Sequence, residues 1–137
     1  VNAIGGNLGK LNIDVEDVAK ILLKFKSGAV GSIDLDYLKR PPKRTLEIVT
    51  TKGRFFWDYY DKRLEFIPLN SSCMKITVFE PKKFDRNSMY LNELKHFIEC
   101  VQEKKQSINP LQQGIYVLNI LLCIKKSLDR EGSLIKV

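Results

Sequence analysis

The hydrophobic pattern changes its period once, near residue 81, and that single change leaves few folds open to the chain. Before it, apolar residues recur at every second position, the signature of half-buried strands. Across 18–25, Ala19, Ile21, Leu23 and Phe25 share one face, with Lys20, Lys24 and Lys26 opposite. Lys26-Ser27-Gly28 then predicts a tight turn. The return run puts Ala29, Gly31, Ile33, Leu35 and Tyr37 on one face, so 18–37 is expected to form an antiparallel hairpin. Residues 45–51 and 54–60, joined at Lys52-Gly53, predict a second hairpin rich in β-branched and aromatic residues. Residues 63–67 and 75–79 predict two more strands, separated by a loop marked by Pro68, Asn70, Ser71 and Ser72.

After Pro81 the spacing becomes helical. Tyr90, Leu94, Phe97, Ile98 and Val101 recur at steps of three and four, predicting an amphipathic helix over 89–104. A second helix is expected over 110–128, with Asn109 as cap, Pro110 in the first position and Gln112 at capping-box spacing. Its apolar face carries Leu111, Ile115, Leu118, Leu121, Leu122 and Ile124, and Gly132 follows its end. Residues 134–137 could add a short final strand. Strands first and helices last predict an α+β fold: an open, mainly antiparallel sheet of about six strands with two C-terminal helices packed on one face. Two helices cover one side only. Leu22, Val30, Phe56 and Tyr60 lie on the register opposite Leu23, Ile33, Phe55 and Trp57, so a second apolar face calls for a further domain or another subunit.

The charge balance tests other classes. A formal net charge of +7 invites nucleic acid, but the basic residues are scattered. Lys39, Arg40, Lys43 and Arg44 form the one dense cluster, and Pro41 and Pro42 within it make it an extended loop instead of a basic helix. Neither nucleic acid nor a membrane is expected as a partner. The longest apolar run, 115–124, is interrupted by Tyr116 and Asn119 and falls short of the roughly 20 residues a span requires. Cys73, Cys100 and Cys123 are widely spaced and contain no CxxC pair. They predict inert thiols, no metal site and a reducing, cytoplasmic setting. The opening residues lack an initiating Met and read as the middle of a strand, as expected of a fragment. Gly5, Gly6 and Gly9 read as loop glycines.

The stretches EDVAKILLKFKSGAVGSIDLDY (16–37) and RTLEIVTTKGRFFWDY (44–59) resemble the C-terminal domain of the glucose–fructose oxidoreductase, inositol dehydrogenase and rhizopine-catabolism (Gfo/Idh/MocA) family. The likeness continues through 84–101 and 109–137, where Gln113-Gly114 precedes an apolar helix ending at Ser127. One departure is Thr50, which stands where the family's turn usually opens with glycine. The resemblance implies that 1–137 is a substrate-binding and oligomerisation domain. Its partners would be an N-terminal Rossmann domain, a sugar-like substrate and a second copy meeting it through the sheet. The parent would use NAD or NADP to oxidise CH–OH groups of a sugar, inositol or nucleotide sugar, while this chain alone would bind neither nucleotide and contain no catalytic residue. His96, the one histidine, reads as a packing or surface group.

Sugar hydroxyls require fixed polar groups on a rigid sheet or at a helix start. The candidate substrate-binding residues are therefore Tyr37, Arg40, Arg44, Arg86, Asn87 and Tyr90. Asp85, Asn87 or Ser88 could instead serve as a helix cap, and Trp57 and Tyr59 read chiefly as packing residues. The competing functional class is a stand-alone binding or scaffolding module without catalysis.

Overall fold

The structure, a computed structural model, describes residues 1–70, 76–79 and 85–137. The chain forms two compact units, one comprising Val1–Leu38 and Cys100–Val137, the other Lys39–Glu99. Cys73, Lys75, Ser71, Ser72 and Pro81 lie outside the described residues.

In the first unit, β1 (Asn2–Gly6), β2 (Val18–Lys24) and β3 (Val30–Asp36) form an antiparallel sheet in chain order. The expected hairpin is β2–β3, with Ile21 opposite Ile33 and Ala19 opposite Leu35. Its turn closes through Phe25 N–H to Ala29 O (2.9 Å) and Gly28 N–H to Phe25 O (3.0 Å), with Gly28 at φ +89°. β1 corrects the loop expectation for Gly5 and Gly6. Both pair with β2, Gly5 opposite Ala19 and Gly6 opposite Val18. The strand expected at the opening residues runs on through both glycines, whose missing side chains give alternation nothing to mark.

A helix, labelled α2 in chain order (Leu111–Leu128), packs on this sheet against β1. Ile120, Ile124 and Leu128 close over Ala3, Ala19, Ile21 and Leu23. Steps of four residues keep the three helix positions on one stripe. Of the six apolar residues expected on the seated face, Ile124 alone is buried; Leu111, Ile115, Leu118, Leu121 and Leu122 are all at least half exposed. Ser127, fully buried, joins helix to sheet: its hydroxyl accepts Ala3 N–H (2.9 Å) and donates to Ser133 O (2.6 Å). Pro110, not Asn109, precedes the helix, and no side chain caps it. Its extended ψ of 161° already sets the entry, and its carbonyl accepts Gln113 N–H at 2.9 Å. At the far end Gly132 N–H returns to Ser127 O (2.9 Å) and Glu131 N–H to Leu128 O (3.1 Å). This is a Schellman closure with Glu131 at φ +52°. Residues 134–137 form no strand; Ile135 merely exchanges backbone bonds with Val1.

In the second unit β4 (Thr45–Thr50), β5 (Gly53–Asp58), β6 (Arg63–Pro68) and β7 (Ile76–Phe79) form an antiparallel meander, with a register shift at Leu64/Glu65. Among the described residues the strands form two antiparallel ladders, of three and four, where about six strands were expected. The α+β class, the antiparallel pairing and the C-terminal helices are as expected. Thr50 explains its own departure from the family pattern: its hydroxyl donates to Gly53 O (2.9 Å) and accepts Lys52 N–H (3.2 Å), closing the β4–β5 turn. The remaining helix, α1 (Arg86–Glu103), begins three residues before the expected start. Its first residues, Arg86, Asn87 and Ser88, are polar and carry no apolar mark.

The register sorts the second sheet's faces. Leu46, Ile48, Phe55, Trp57, Leu64, Phe66 and Ile76 share one face, and Leu46, Ile48 and Ile76 are 53%, 49% and 42% exposed. The other face carries Glu47 paired with Arg54 (3.5 Å) and Arg63 paired with Glu65 (3.3 Å). Phe56 lies between Glu47 and Glu65 across the ladder. The Phe56 register thus mixes exposed apolar residues, Val49 and Tyr60, with ion pairs, whereas the Phe55 register is apolar from Leu46 to Ile76.

Candidate substrate-facing site

The six candidates do not form one cluster. Tyr37 belongs to the first unit, where its N–H donates to Asp17 O (2.8 Å) and its side chain is mostly exposed. The other five belong to the second. At the start of α1, Asp85 is the cap: its Oδ1 accepts Asn87 N–H (3.0 Å) and its Oδ2 accepts the Ser88 hydroxyl (3.0 Å). The carboxylate thereby satisfies one orphan N–H of the first turn, that of Asn87, and complements the positive end of the helix. Arg86, Asn87 and Tyr90 are exposed on that turn. In the 39–44 loop Arg40 donates to Lys39 O (2.9 Å).

Arg44 has the most definite surroundings. Its guanidinium carbon stands 6.0 Å from the Trp57 ring centre and 5.1 Å from that of Tyr59. Tyr59 N–H donates to Arg44 O (2.9 Å), extending the β4–β5 ladder by one pair and setting both side chains on one face. Trp57 and Tyr59 meet edge to face at 6.1 Å, and Tyr59 meets Tyr60 likewise at 5.3 Å. Cation–π contact and an aromatic T-pair fix the guanidinium without an ion pair. The sequence contained the signal for this group: alternation sets Trp57 and Tyr59 on one side, and the hairpin register brings Arg44 to them.

The acidic pair that opens β2 serves the scaffold. Asp17 is 2% exposed and accepts Leu8 N–H on Oδ1 and Gly9 N–H on Oδ2, both at 2.8 Å. Glu16 pairs with Lys125 of α2. The Lys125 hydrogen bond lowers the Glu16 carboxyl below its ordinary value, and the same bond raises Lys125. The lowered acid gives stability that is present above the ordinary carboxylate value, about 4.3, and is lost as pH falls through the folded value. The raised lysine gives stability present below about 10.4 and lost as pH rises through its folded value. The stability gap between the parent chain and Glu16→Gln should be flat near neutrality and close toward both extremes. Urea midpoints across pH check this, and a gap that persists in strong acid would refute it. Both groups are partly exposed, so salt should narrow the gap.

Among the described residues, no group of three His, Cys, Asp or Glu side chains could hold a metal ion, and no helix is long and apolar enough to cross a membrane. Cys100 is buried and Cys123 half-buried, and neither forms a disulfide among the described residues.

A three-stranded sheet seated on a terminal helix through a buried serine, with a four-stranded meander in the second unit, defines an alpha/beta domain. The chain belongs to the glucose–fructose oxidoreductase, inositol dehydrogenase and rhizopine-catabolism family, matching its "Oxidoreductase family, C-terminal alpha/beta domain" over residues 3–137. No curated protein sequence gives a significant match. Among solved structures it is similar to levoglucosan dehydrogenase in complex with NADH and L-sorbose, with a TM-score of 0.82 and 20% identity over 95% of this chain and 42% of that one. The NADH complex of levoglucosan dehydrogenase gives a TM-score of 0.81, also at 20% identity with the same coverage of both chains. At such identities the likeness is one of fold. The chain spans 42% of the length of these neighbours.

Proposed function

We propose that this chain is the substrate-binding and subunit-contacting part of an NAD- or NADP-dependent oxidoreductase acting on CH–OH groups of a sugar, inositol or nucleotide sugar. The observation that carries the reading is the family match over residues 3–137, joined to a fold likeness in which the chain spans 42% of a dehydrogenase solved with NADH and L-sorbose. The remaining length corresponds to a nucleotide-binding Rossmann domain, which would hold the nicotinamide and the proton-accepting group that hydride transfer needs. Arg44, the candidate with the most definite surroundings, is the polar group proposed to face the substrate. The test joins this chain to the sequence that precedes it in its gene and measures nicotinamide reduction with a panel of sugars and polyols. Saturable turnover supports the reading. A preceding segment with no glycine-rich strand–turn–helix, or no turnover on any CH–OH substrate, overturns it in favour of a scaffolding module.

The second part of the proposal is self-association through the row Ile48, Phe55, Phe66 and Ile76 of the four-stranded sheet, with Arg44, Trp57 and Tyr59 at the other end of the same face left outside the contact. Fully burying a large apolar side chain is worth about 1.5–3 kcal/mol relative to leaving it in water, so this face gains from a partner. A symmetric pair can use one patch twice. A discrete dimer or tetramer is expected by light scattering at micromolar concentration, and Phe66→Asp should dissociate it by more than tenfold. The Phe56→Asp variant, on the ion-paired face, should leave it assembled. A monomeric parent chain, or equal effects of the two variants, would refute the assignment.

A further inference from the structure

The four cations at 39–44 end in an arginine held unlike any other in the chain. Arg44 lies against Trp57 and Tyr59 at 6.0 and 5.1 Å, and among the described residues it has no acidic partner. The carboxylates nearest in the ladder are turned to other work. Asp58, opposite Thr45, accepts Tyr60 N–H (2.8 Å) and Asp61 N–H (3.1 Å) through Oδ1, and Glu47 pairs with Arg54. Both sit on the register opposite Arg44. The two ring contacts hold the guanidinium carbon without using its N–H groups on a carboxylate, and a planar fork of this kind suits a bidentate acceptor. Exposed Lys43 adds a second positive charge beside it. Aromatic faces next to a pre-ordered cation suit a ring whose C–H face stacks and whose substituent is an anion.

We infer that Arg44, Trp57 and Tyr59 form a recognition point for an anionic sugar, a ring bearing a carboxylate or a phosphate, so that the substrate class of the proposed oxidoreductase is charged. This inference rests on the preceding reading for its link to catalysis, but the binding event does not require nucleotide or turnover. Arg44 is the specificity-determining residue: a neutral ring can stack but leaves the guanidinium edge unmatched. A charged hydrogen bond of about 1.5–3 kcal/mol corresponds to roughly a ten- to hundredfold preference.

Trp57 is the sole tryptophan, so its emission reports on this point directly. The intact chain is titrated with D-glucuronate, glucose 6-phosphate, glucose and inorganic phosphate while Trp57 fluorescence is followed. Saturable change with glucuronate or glucose 6-phosphate, at least about tenfold weaker with glucose and weakened by salt, supports the inference. The responding sugar identifies the anion as carboxylate or phosphate. Arg44→Gln should abolish the preference, and Arg44→Lys, which keeps charge but loses the planar fork, should retain only part of it. Circular dichroism and light scattering establish that both variants stay folded and assembled. Equal response to glucose, an unchanged response in Arg44→Gln, saturation by inorganic phosphate alone, or no response would each overturn it. A shift in oligomeric state without loss of the sugar response would also overturn it, assigning Arg44 to the subunit contact. Absent turnover in the joined protein would sink the oxidoreductase reading and leave this measurement standing.

Discussion

Asp17→Asn should destabilise the chain by about 2–4 kcal/mol, although it removes no atom from the core. The two carboxylate oxygens each accept one backbone N–H, from Leu8 and from Gly9, at 2.8 Å. An amide keeps one acceptor and must turn an NH2 toward the other donor, leaving that peptide unpaired. Bonds to an ionised acceptor are worth about 1.5–3 kcal/mol, and an orphaned buried donor adds its desolvation cost. Asp17 also sits where three segments meet. Its N–H donates to Gly6 O at 3.1 Å, and its carbonyl accepts Tyr37 N–H at 2.8 Å. Losing the side-chain contacts should loosen the segment between β1 and β2 first, with faster exchange of the Leu8 and Gly9 amides than of those within β2. Urea unfolding and hydrogen exchange check both points. A loss below about 1 kcal/mol would show the loop to be held by other means.

Gly53→Ala should cost about as much, through a different cause. Gly53 opens β5 at φ +151°, a conformation that side-chain-bearing residues rarely adopt. A Cβ there would stand 2.4 Å from Ile67 O, on the neighbouring strand, and 2.8 Å from the Phe66 ring. Backbone strain of about 1–3 kcal/mol and overpacking of about 1–3 kcal/mol combine to roughly 2–6 kcal/mol. Gly28→Ala separates the two contributions. Gly28 has φ +89°, but nothing lies within 4 Å of its added Cβ. It should show the strain alone, about 1–3 kcal/mol. Equal losses in the two variants would mean that β6 yields and the close approach is harmless.

Much of this architecture was legible because alternation and helical spacing are local. The β2–β3 and β4–β5 hairpins follow from runs such as Ala19, Ile21, Leu23 and from the turns at Gly28 and Gly53. What failed depended on residues without pattern or on pairing. The opening residues read as strand, but Gly5 and Gly6 at the end of β1 read as loop because their missing side chains erase the period. The division into two ladders depends on which strands bond, and six similar runs do not encode that. Both registers of β5 were legible as apolar, but the ion pairs of Glu47 and Glu65 beside Phe56 emerge only from the cross-strand pairing. Among the site candidates, Arg44 was legible as a cation, but its seat on Trp57 and Tyr59 required the hairpin register. Arg86, Asn87 and Tyr90 are exposed on the first turn of α1, where Asp85 does the capping.

The first unit is made from the two ends of the chain, with the second unit inserted between Leu38 and Cys100. This connectivity orders events on the ribosome. When β1, β2 and β3 emerge, the stripe of Ile120, Ile124 and Leu128 that covers Ala3, Ala19 and Ile21 does not yet exist. Residues 39–99 can pair their own strands long before that. Translation pauses placed between residues 100 and 120 would therefore prolong exposure of the three-stranded sheet without affecting the meander. A nascent chain held there should recruit chaperones to its N-terminal strands. Release of the last turn of α2, with Ser127 reaching Ala3, is the step that ends the need for them.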